Sequence, residues 1–570
     1  MAGVTAAWEL SRPGWRDRVE SVTVYQRGWV LGGKGASTRD AQGRIFEHGL
    51  HVWPGYYDNA FRVVRECYAE LDRVRTDPEC PIRTWRDAFT PAPAIGVFEH
   101  VGDDVVPWLA QFRCNDRTPG DPHRRADDLN ELVRRLLGLA ADLAQSARGR
   151  VGPRIQTGID LVSTVARGIA ADGLLREPGG FARVDDEDFR SWLRRHGASR
   201  ATVEGGIVRA MYDLVFGYRA GDKTRPEFAA GLGVFLAIRM FLDYQGSLFW
   251  KMTAGMGDVV FAPFQQALRA RGVRVRYGHG VDELVPSPDG RSLEQVRMTR
   301  NAQGHDLDGF DPLVRVGGIP CFPDTPPWRP HETTDEVVTL RHGEDFDVVI
   351  LAISLGAVPE VAAAIVRHHP RWQAMIREVG TVRTQAAQVW FRPSEAELGW
   401  AHPGATFAGL DAELDTCASM SHLLAHEGWS TVDDAPPRSL AYLCSVVADR
   451  DAAPAAARAL AEFMPRWSTT LWPGAAPIDV AGPDVRSVMT RLNDDPSDRY
   501  VQALPGSDRY RMRVDESGID HLVLAGDWTD CGLNAGCIEA AAISGIEAAA
   551  AVEGRPLVDR VLGPLTWDWL

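Results

Sequence analysis

Cysteine pairs at metal-ligand spacing are missing from this sequence. Its eight cysteines (Cys67, Cys80, Cys114, Cys321, Cys417, Cys444, Cys531 and Cys537) are scattered, with no C-x-x-C pair. Neither a zinc site nor an iron-sulfur cluster is indicated, no metal is expected, and a reduced compartment fits. A membrane span is missing too. The longest apolar stretch, from Ala229 to Leu242, carries Arg239 and falls short of the roughly 20 residues a spanning helix needs, so it is expected to be a buried helix. The opening MAGVTAAWELSRPGWRDRVE has no apolar core behind a basic start, so no secretory signal is read and a cytoplasmic location is expected. Lysine is nearly absent: of 62 basic residues only Lys34, Lys223 and Lys251 are lysines. This arginine bias, with abundant alanine, reads as GC-rich coding and a bacterial source. An excess of positive charge is also lacking, because 77 acidic residues leave a net charge of −15, a field that repels polyphosphate. Nucleic acid is not expected as a partner.

What is present is a chain of 570 residues, 45% hydrophobic and 24% charged, long enough for about two to four structural units and too ordinary in composition for disorder. Ala2 to Leu10 reads as a helix, Ser21 to Tyr25 as a β-branched strand, and Gly32, Gly33 and Gly35 as a turn. Together they form the second half of a βαβ unit. The first strand of that unit is missing, and Met1 stands where its glycine turn belongs. A misplaced or truncated start is the favoured explanation, with codons upstream of Met1 expected to encode a hydrophobic strand ending in G-x-G. From Asn59 to about Trp250 the pattern is mostly helical, including AFRVVRECYAEL and LNELVRRLLGLAADLAQSA. A helix from about Val259 to Ala270 then precedes a strand from Val273 to Tyr277. The proline-punctuated stretch 300–336 reads as a loop excursion or lid. Phe346 to Ser354 reads as a strand buried on both faces. AAQVWF and SLAYLCSVVA read as further strands, and HLVLAGDW as a strand feeding an alanine-rich helix that ends near Ala551. No internal repeat is found.

Several of these segments carry groups suited to a dinucleotide. Gly3 is the last glycine of a fingerprint that lets backbone approach a pyrophosphate; alone, it is a chance glycine. Gln26, at the end of the second strand, stands where an acidic residue would bind ribose hydroxyls. Its amide can still hydrogen-bond, without the charge. Gly32, Gly33 and Lys34 offer backbone and a cation near a diphosphate, or simply a surface turn. Gly526 and Asp527 are delivered by a strand to the start of a helix, where the N–H groups around Gly536, Cys537 and Ile538 would face a developing anion. A plain packing helix is the alternative.

Taken together, these dispersed segments resemble the flavin amine oxidase superfamily. Within it, EHGLHVWPGYYDNAFRV (Glu47 to Val63), GMGDVV (Gly255 to Val260) and VRVRYGHGVDEL resemble the phytoene and zeta-carotene desaturases. That resemblance implies an α/β fold with a Rossmann-like FAD-binding domain assembled from discontinuous segments, its first strand apparently missing, and an inserted helical and mixed-sheet substrate domain. The implied division is FAD-binding parts at 1–58, 251–360 and 501–570, with substrate-domain parts at 59–250 and 361–500. It implies FAD contacts at Gly3, Gln26, Gly32, Gly33, Lys34, Val281, Gly526, Asp527, Gly536 and Ile538, with Val281 meeting the adenine through its backbone. It implies hydride transfer to flavin from a large hydrophobic polyene, terpenoid or polyketide-derived substrate, in carotenoid or secondary metabolism. The stretch Gly231 to Trp250 would line an apolar tunnel or pack as ordinary core. His51 and Lys251 are the polar candidates for acid, base or orienting work, against a structural histidine and a surface lysine. Related desaturases collect substrate from one leaflet, so peripheral membrane contact stays open. The competing readings are a flavin amine or amino-acid oxidase, which would need an aromatic cage and a charged anchor, and a truncated, cofactor-free scaffold homologue.

Overall fold

A computed structural model describes residues 1–101, 104–122, 152–175, 180–300, 310–326, 336–429, 435–449 and 455–562. The expected helix over 129–147 lies outside the described residues.

The first helix, Ala2–Leu10, is buried almost all round, with only Gly3 half-exposed, which its small and apolar composition permits. Its neighbour is the alanine-rich helix Ile538–Val552. The two approach so closely that a Cβ placed on Gly545 would sit 2.4 Å from the Ala2 carbonyl oxygen and 2.7 Å from Thr5 Cβ. Gly545→Ala is therefore expected to destabilise the protein by about 1–3 kcal/mol through overpacking, although alanine is the better helix former. A urea melt checks this; an unchanged midpoint would mean that the helices separate without cost.

Around these helices stand two parallel strand pairs. Thr23–Gln26 pairs with Arg274–Tyr277, and Val349–Leu351 pairs with Leu522–Leu524. Among the described residues neither Thr23–Gln26 nor Leu522–Leu524 is paired along its other edge. The first strand is shifted from the expected Ser21 to Tyr25, so that Gln26 is its last residue. The expected strand Phe346 to Ser354 shrinks to Val349–Leu351, half-buried at Val349 and Ile350, because it lies on an edge rather than inside the sheet. The helix Ala262–Ala270, preceded by a wider turn of helix over Gly257–Phe261, feeds Arg274–Tyr277 as anticipated.

The second layer is an eight-stranded mixed sheet. Its path runs Val485–Asn493, Thr381–Phe391, Ser439–Val447, Thr416–Ser419, Thr406–Ala408, Ala94–Val101 and Asp104–Gln111, with Tyr500–Val501 added beside the start of Thr381–Phe391. Two of these strands come from the segment expected to be mostly helical. Ala94–Val101 and Asp104–Gln111 form a hairpin in which Ile95 opposes Ala110 and Val97 opposes Trp108. The cause is a pair of short apolar runs packed on both faces, Val97, Trp108 and Ala110 on one and Phe98 on the other, where Gly96 accommodates the Phe407 ring and an added Cβ would come within 2.1 Å of it. Helix Asp58–Leu71 packs on Ile538–Val552, and helices Gly206–Leu214 and Ala230–Leu242 face the hairpin.

The proline-rich excursion is also more ordered than a loop. Val314–Val316 and Ile319–Cys321 form a hairpin, and Arg39 N–H donates to Phe322 O while Asp324 N–H donates to Arg39 O, both at 2.8 Å. This fixes the hairpin beside residue 39 and away from the cavity described next, so its described part is no lid. Residues 301–309 and 327–335 lie outside the described residues.

Candidate functional site

The strand Thr23–Gln26, the residues that follow the strands Val349–Leu351 and Leu522–Leu524, the glycine turn and the N-terminal ends of the first and last helices border a cavity of about 440 Å³. Gly3, Gln26, Gly32, Gly33, Lys34, His51, Gly526, Asp527, Gly536 and Ile538 all contribute to its wall. Distant pieces of sequence thus meet at one place. Two of the glycines are required by space: a Cβ on Gly3 would lie 3.0 Å from Ala352 Cβ, and one on Gly32, whose φ is +121°, would lie 2.7 Å from the Phe261 ring.

Lys34 Nζ lies 3.0 Å from Asp527 Oδ2, donates to Ser354 Oγ at 3.4 Å and sits 5.4 Å from the centre of the Tyr500 ring. Asp527 is held from behind, because Arg511 Nη1 donates to its carbonyl at 3.0 Å. The helix Ile538–Val552 turns its N-terminus toward the cavity through Gly536, Cys537 and Ile538. Cys537 caps it, its Sγ accepting from Ala540 N at 3.5 Å. Glu539 in the first turn instead accepts from the amides of Asn59 and Ala60, at 2.9 and 2.8 Å, and so caps the neighbouring helix Asp58–Leu71. Burial, helped by the Asp58 carboxylate, pushes Glu539 up to about 7.

His51 borders the cavity between this polar end and an apolar chamber. One face of Ala230–Leu242 lines the chamber with Leu232, Leu236, Ala237, Met240 and Phe241, and the hairpin adds Ile95, Val97, Trp108 and Ala110. The spacing 232, 236, 237, 240, 241 is that of one helical stripe. The Gly231 to Trp250 stretch therefore does both things expected of it, since Val234, Phe235 and Ile238 belong to the packed core.

Two expected site residues do not reach the cavity wall. Lys251 is buried in the Phe249–Met252 strand, where Nζ donates to the carbonyls of Gly404 and Ser419, each at 2.8 Å. Burial lowers it to about 8, and its geometry is that of a strut joining the turn at Gly404 to the end of the strand Thr416–Ser419. Val281 is half-buried in the strand His279–Pro286, next to an irregularity in its pairing. That strand contacts Thr23–Gln26 without contributing Val281 to the wall. Sequence reading passed over Glu47, Ser354 and Tyr500. Ser354 had a usable signal, because it follows the carboxyl end of a parallel strand, where ligands of α/β sheets bind. Tyr500 had none.

The residues present suit a flavin dinucleotide. A glycine-lined neck with one cation, an amide at the strand end and a helix N-terminus beside an apolar chamber match in turn a diphosphate, a ribose and a fused ring system.

The profile of the family described as flavin containing amine oxidoreductase matches residues 1–303 and 330–553. The chain is 24% identical over 349 residues to the zeta-carotene desaturase, chloroplastic/chromoplastic, of Zea mays, covering 60% of this chain and 52% of that one. It is 21% identical over 325 residues to the 15-cis-phytoene desaturase of Synechococcus elongatus, covering 57% and 56%. It thus spans about half the length of the curated relatives it matches. Among solved structures, an oxidoreductase from Methanosarcina mazei aligns over 96% of both chains with a TM-score of 0.55 at 11% identity. Putrescine oxidase bound to putrescine aligns over 97% of both with a TM-score of 0.54 at 14% identity. At such identities these two likenesses are of fold. With a profile match covering most of its length, the chain belongs to the flavin containing amine oxidoreductase family, and FAD is its cofactor.

Proposed function

We propose that the protein dehydrogenates a large apolar substrate of the polyene, terpenoid or polyketide-derived class. The observation that carries this reading is the continuity of the cavity, which runs from the glycine-lined neck into a chamber walled by aliphatic and aromatic side chains. FAD supplies a hydride acceptor when bound. The chain's own part is to bind and orient. Gly3, Gly32, Gly33 and Gly526 admit the diphosphate to backbone, with Lys34 and Asp527 fixing the polar linker. Gln26 takes a ribose hydroxyl, and the Ile538–Val552 helix directs its N-terminus at the ring. The chamber stripe on Ala230–Leu242 holds the substrate and excludes water.

An amine is a poorer fit for this chamber. Of the carboxylates bordering the cavity, Asp527 is paired with Lys34. Asp213 accepts from Tyr218 O–H at 2.5 Å and Gly409 N–H at 2.9 Å. Burial and the Asp415 carboxylate hold Asp213 well above the usual carboxylate range, leaving no ready anionic anchor for an ammonium among the described residues of the wall. The purified protein is expected to show oxidised-flavin bands after addition of FAD. Anaerobic mixing with apolar polyenes should bleach those bands, and amines should not. A protein that stays colourless with FAD, or one bleached by amines alone, overturns the proposal.

A further inference from the structure

His51 borders the cavity, and both of its ring nitrogens are engaged. Nδ1 lies 2.9 Å from Glu47 Oε2, and Nε2 lies 3.2 Å from the carbonyl oxygen of Lys34. A carboxylate and a carbonyl are both acceptors, so a ring satisfied on both sides must donate from both nitrogens, and only the imidazolium carries two N–H groups. The Lys34 carbonyl is fixed as an acceptor, since Tyr500 O–H also donates to it, at 3.4 Å. The other oxygen of Glu47 accepts from Met256 N–H at 2.9 Å, so that an ionised carboxylate here has an acceptor role at both oxygens.

We infer that His51 is locked as an imidazolium, forming with the Ile538–Val552 N-terminus an electropositive wall that raises the affinity of the bound flavin for electrons. The inference rests on the functional reading above, which places the ring in this part of the cavity. The arrangement is polar in a specific direction. His51 lines the cavity and Glu47 does not, so the positive member of the pair faces the ligand and the carboxylate stands behind it. The two side chains are only 11% and 4% exposed, and so little water is present to screen them. Other charged and titratable groups nearby leave that field in place. Lys34 and Asp527 form their own pair, the Tyr500 phenol is pushed up by burial, and burial, then Arg491 and His51, push the adjacent His48 down to about 3.

Sulfite provides a direct reading, because its bond to an oxidised flavin leaves negative charge on the ring. In FAD-loaded protein, His51→Asn is expected to raise the sulfite dissociation constant at least tenfold. The same factor applied to the two-electron couple lowers its midpoint potential by about 30 mV. Glu47→Gln should produce a similar loss by releasing the proton from His51. Nitrogen NMR of the unmutated holoenzyme, labelled at histidine, should show both His51 nitrogens protonated at neutral pH, and it decides the matter even where a variant fails to fold. A neutral His51 ring in that spectrum, or a sulfite affinity in His51→Asn within threefold of the parent, overturns the inference while leaving the FAD reading intact. A parent protein that takes up no FAD overturns both.

Discussion

Arg39→Met is expected to lower the stability of the protein by about 3–5 kcal/mol, a large part of the roughly 5–15 kcal/mol that a folded protein possesses. The side chains of Arg39 and Asp258 are both fully buried, with Nη2 2.8 Å from Oδ2 and Nε donating to the same oxygen at 3.1 Å. Arg39 Nη1 donates onward to the carbonyl of Gly43 at 3.0 Å and to that of His426. One guanidinium thus ties together the turn after Ser37–Arg39, the start of the 257–270 helical segment and the 421–426 turn. Removing it leaves a carboxylate in a dry interior, where among the described residues Asp258 Oδ1 already has no hydrogen-bond partner and the other oxygen keeps only the Gly255 amide, at 2.9 Å. Most of the loss comes from that stranded charge rather than from the pair's own attraction. Hence Arg39→Met combined with Asp258→Leu should recover a substantial share of it. Urea denaturation of the two variants checks both statements; a single-variant loss below 1 kcal/mol would show that water reaches Asp258.

This pair also shows where sequence reasoning stops. GMGDVV was visible as a segment, but the partner of its aspartate lies 219 residues away, and no local pattern announces it. Regular periodicity was readable. The Ala2–Leu10 helix and the buried helix Ala230–Leu242 follow from composition, and the glycines and Asp527 of the cavity follow from the demands of a phosphate-bearing ligand. The two strands of the hairpin were obscured by Pro93, Pro107 and Gly96, which break up apolar runs that carry no period of their own. Lys251 attracted notice because lysine is rare here, yet rarity reports on coding, whereas its partners at Gly404 and Ser419 are a turn and a strand end brought to it by the fold. His51 was legible within EHGLH, but its partners were not: one ring nitrogen meets Glu47 of the same motif and the other a carbonyl 17 residues earlier, a meeting that only the folded chain makes.

Ala237→Trp should reduce oxidation of an apolar substrate by about 100-fold or more, equivalent to roughly 2.7 kcal/mol in the barrier, while leaving the flavin spectrum unchanged. Ala237 is a small, half-buried residue on the chamber-facing stripe of Ala230–Leu242, between Leu236 and Met240. An indole there occupies space that the substrate must use. The neck residues Gly32, Lys34 and Asp527 belong to other segments, so FAD should load as before. A reacting carbon held even about 1 Å from its proper place forfeits on the order of 100-fold in rate, and obstruction of the chamber displaces it further. Two readings divide the outcome: uptake of FAD by titration, and the rate of anaerobic bleaching in a single turnover. If bleaching is as fast in Ala237→Trp as in the parent, the substrate approaches the flavin by another route, and the chamber is core rather than binding site. If bleaching is slow while FAD binds normally, the apolar stripe of this helix is what brings substrate to the ring.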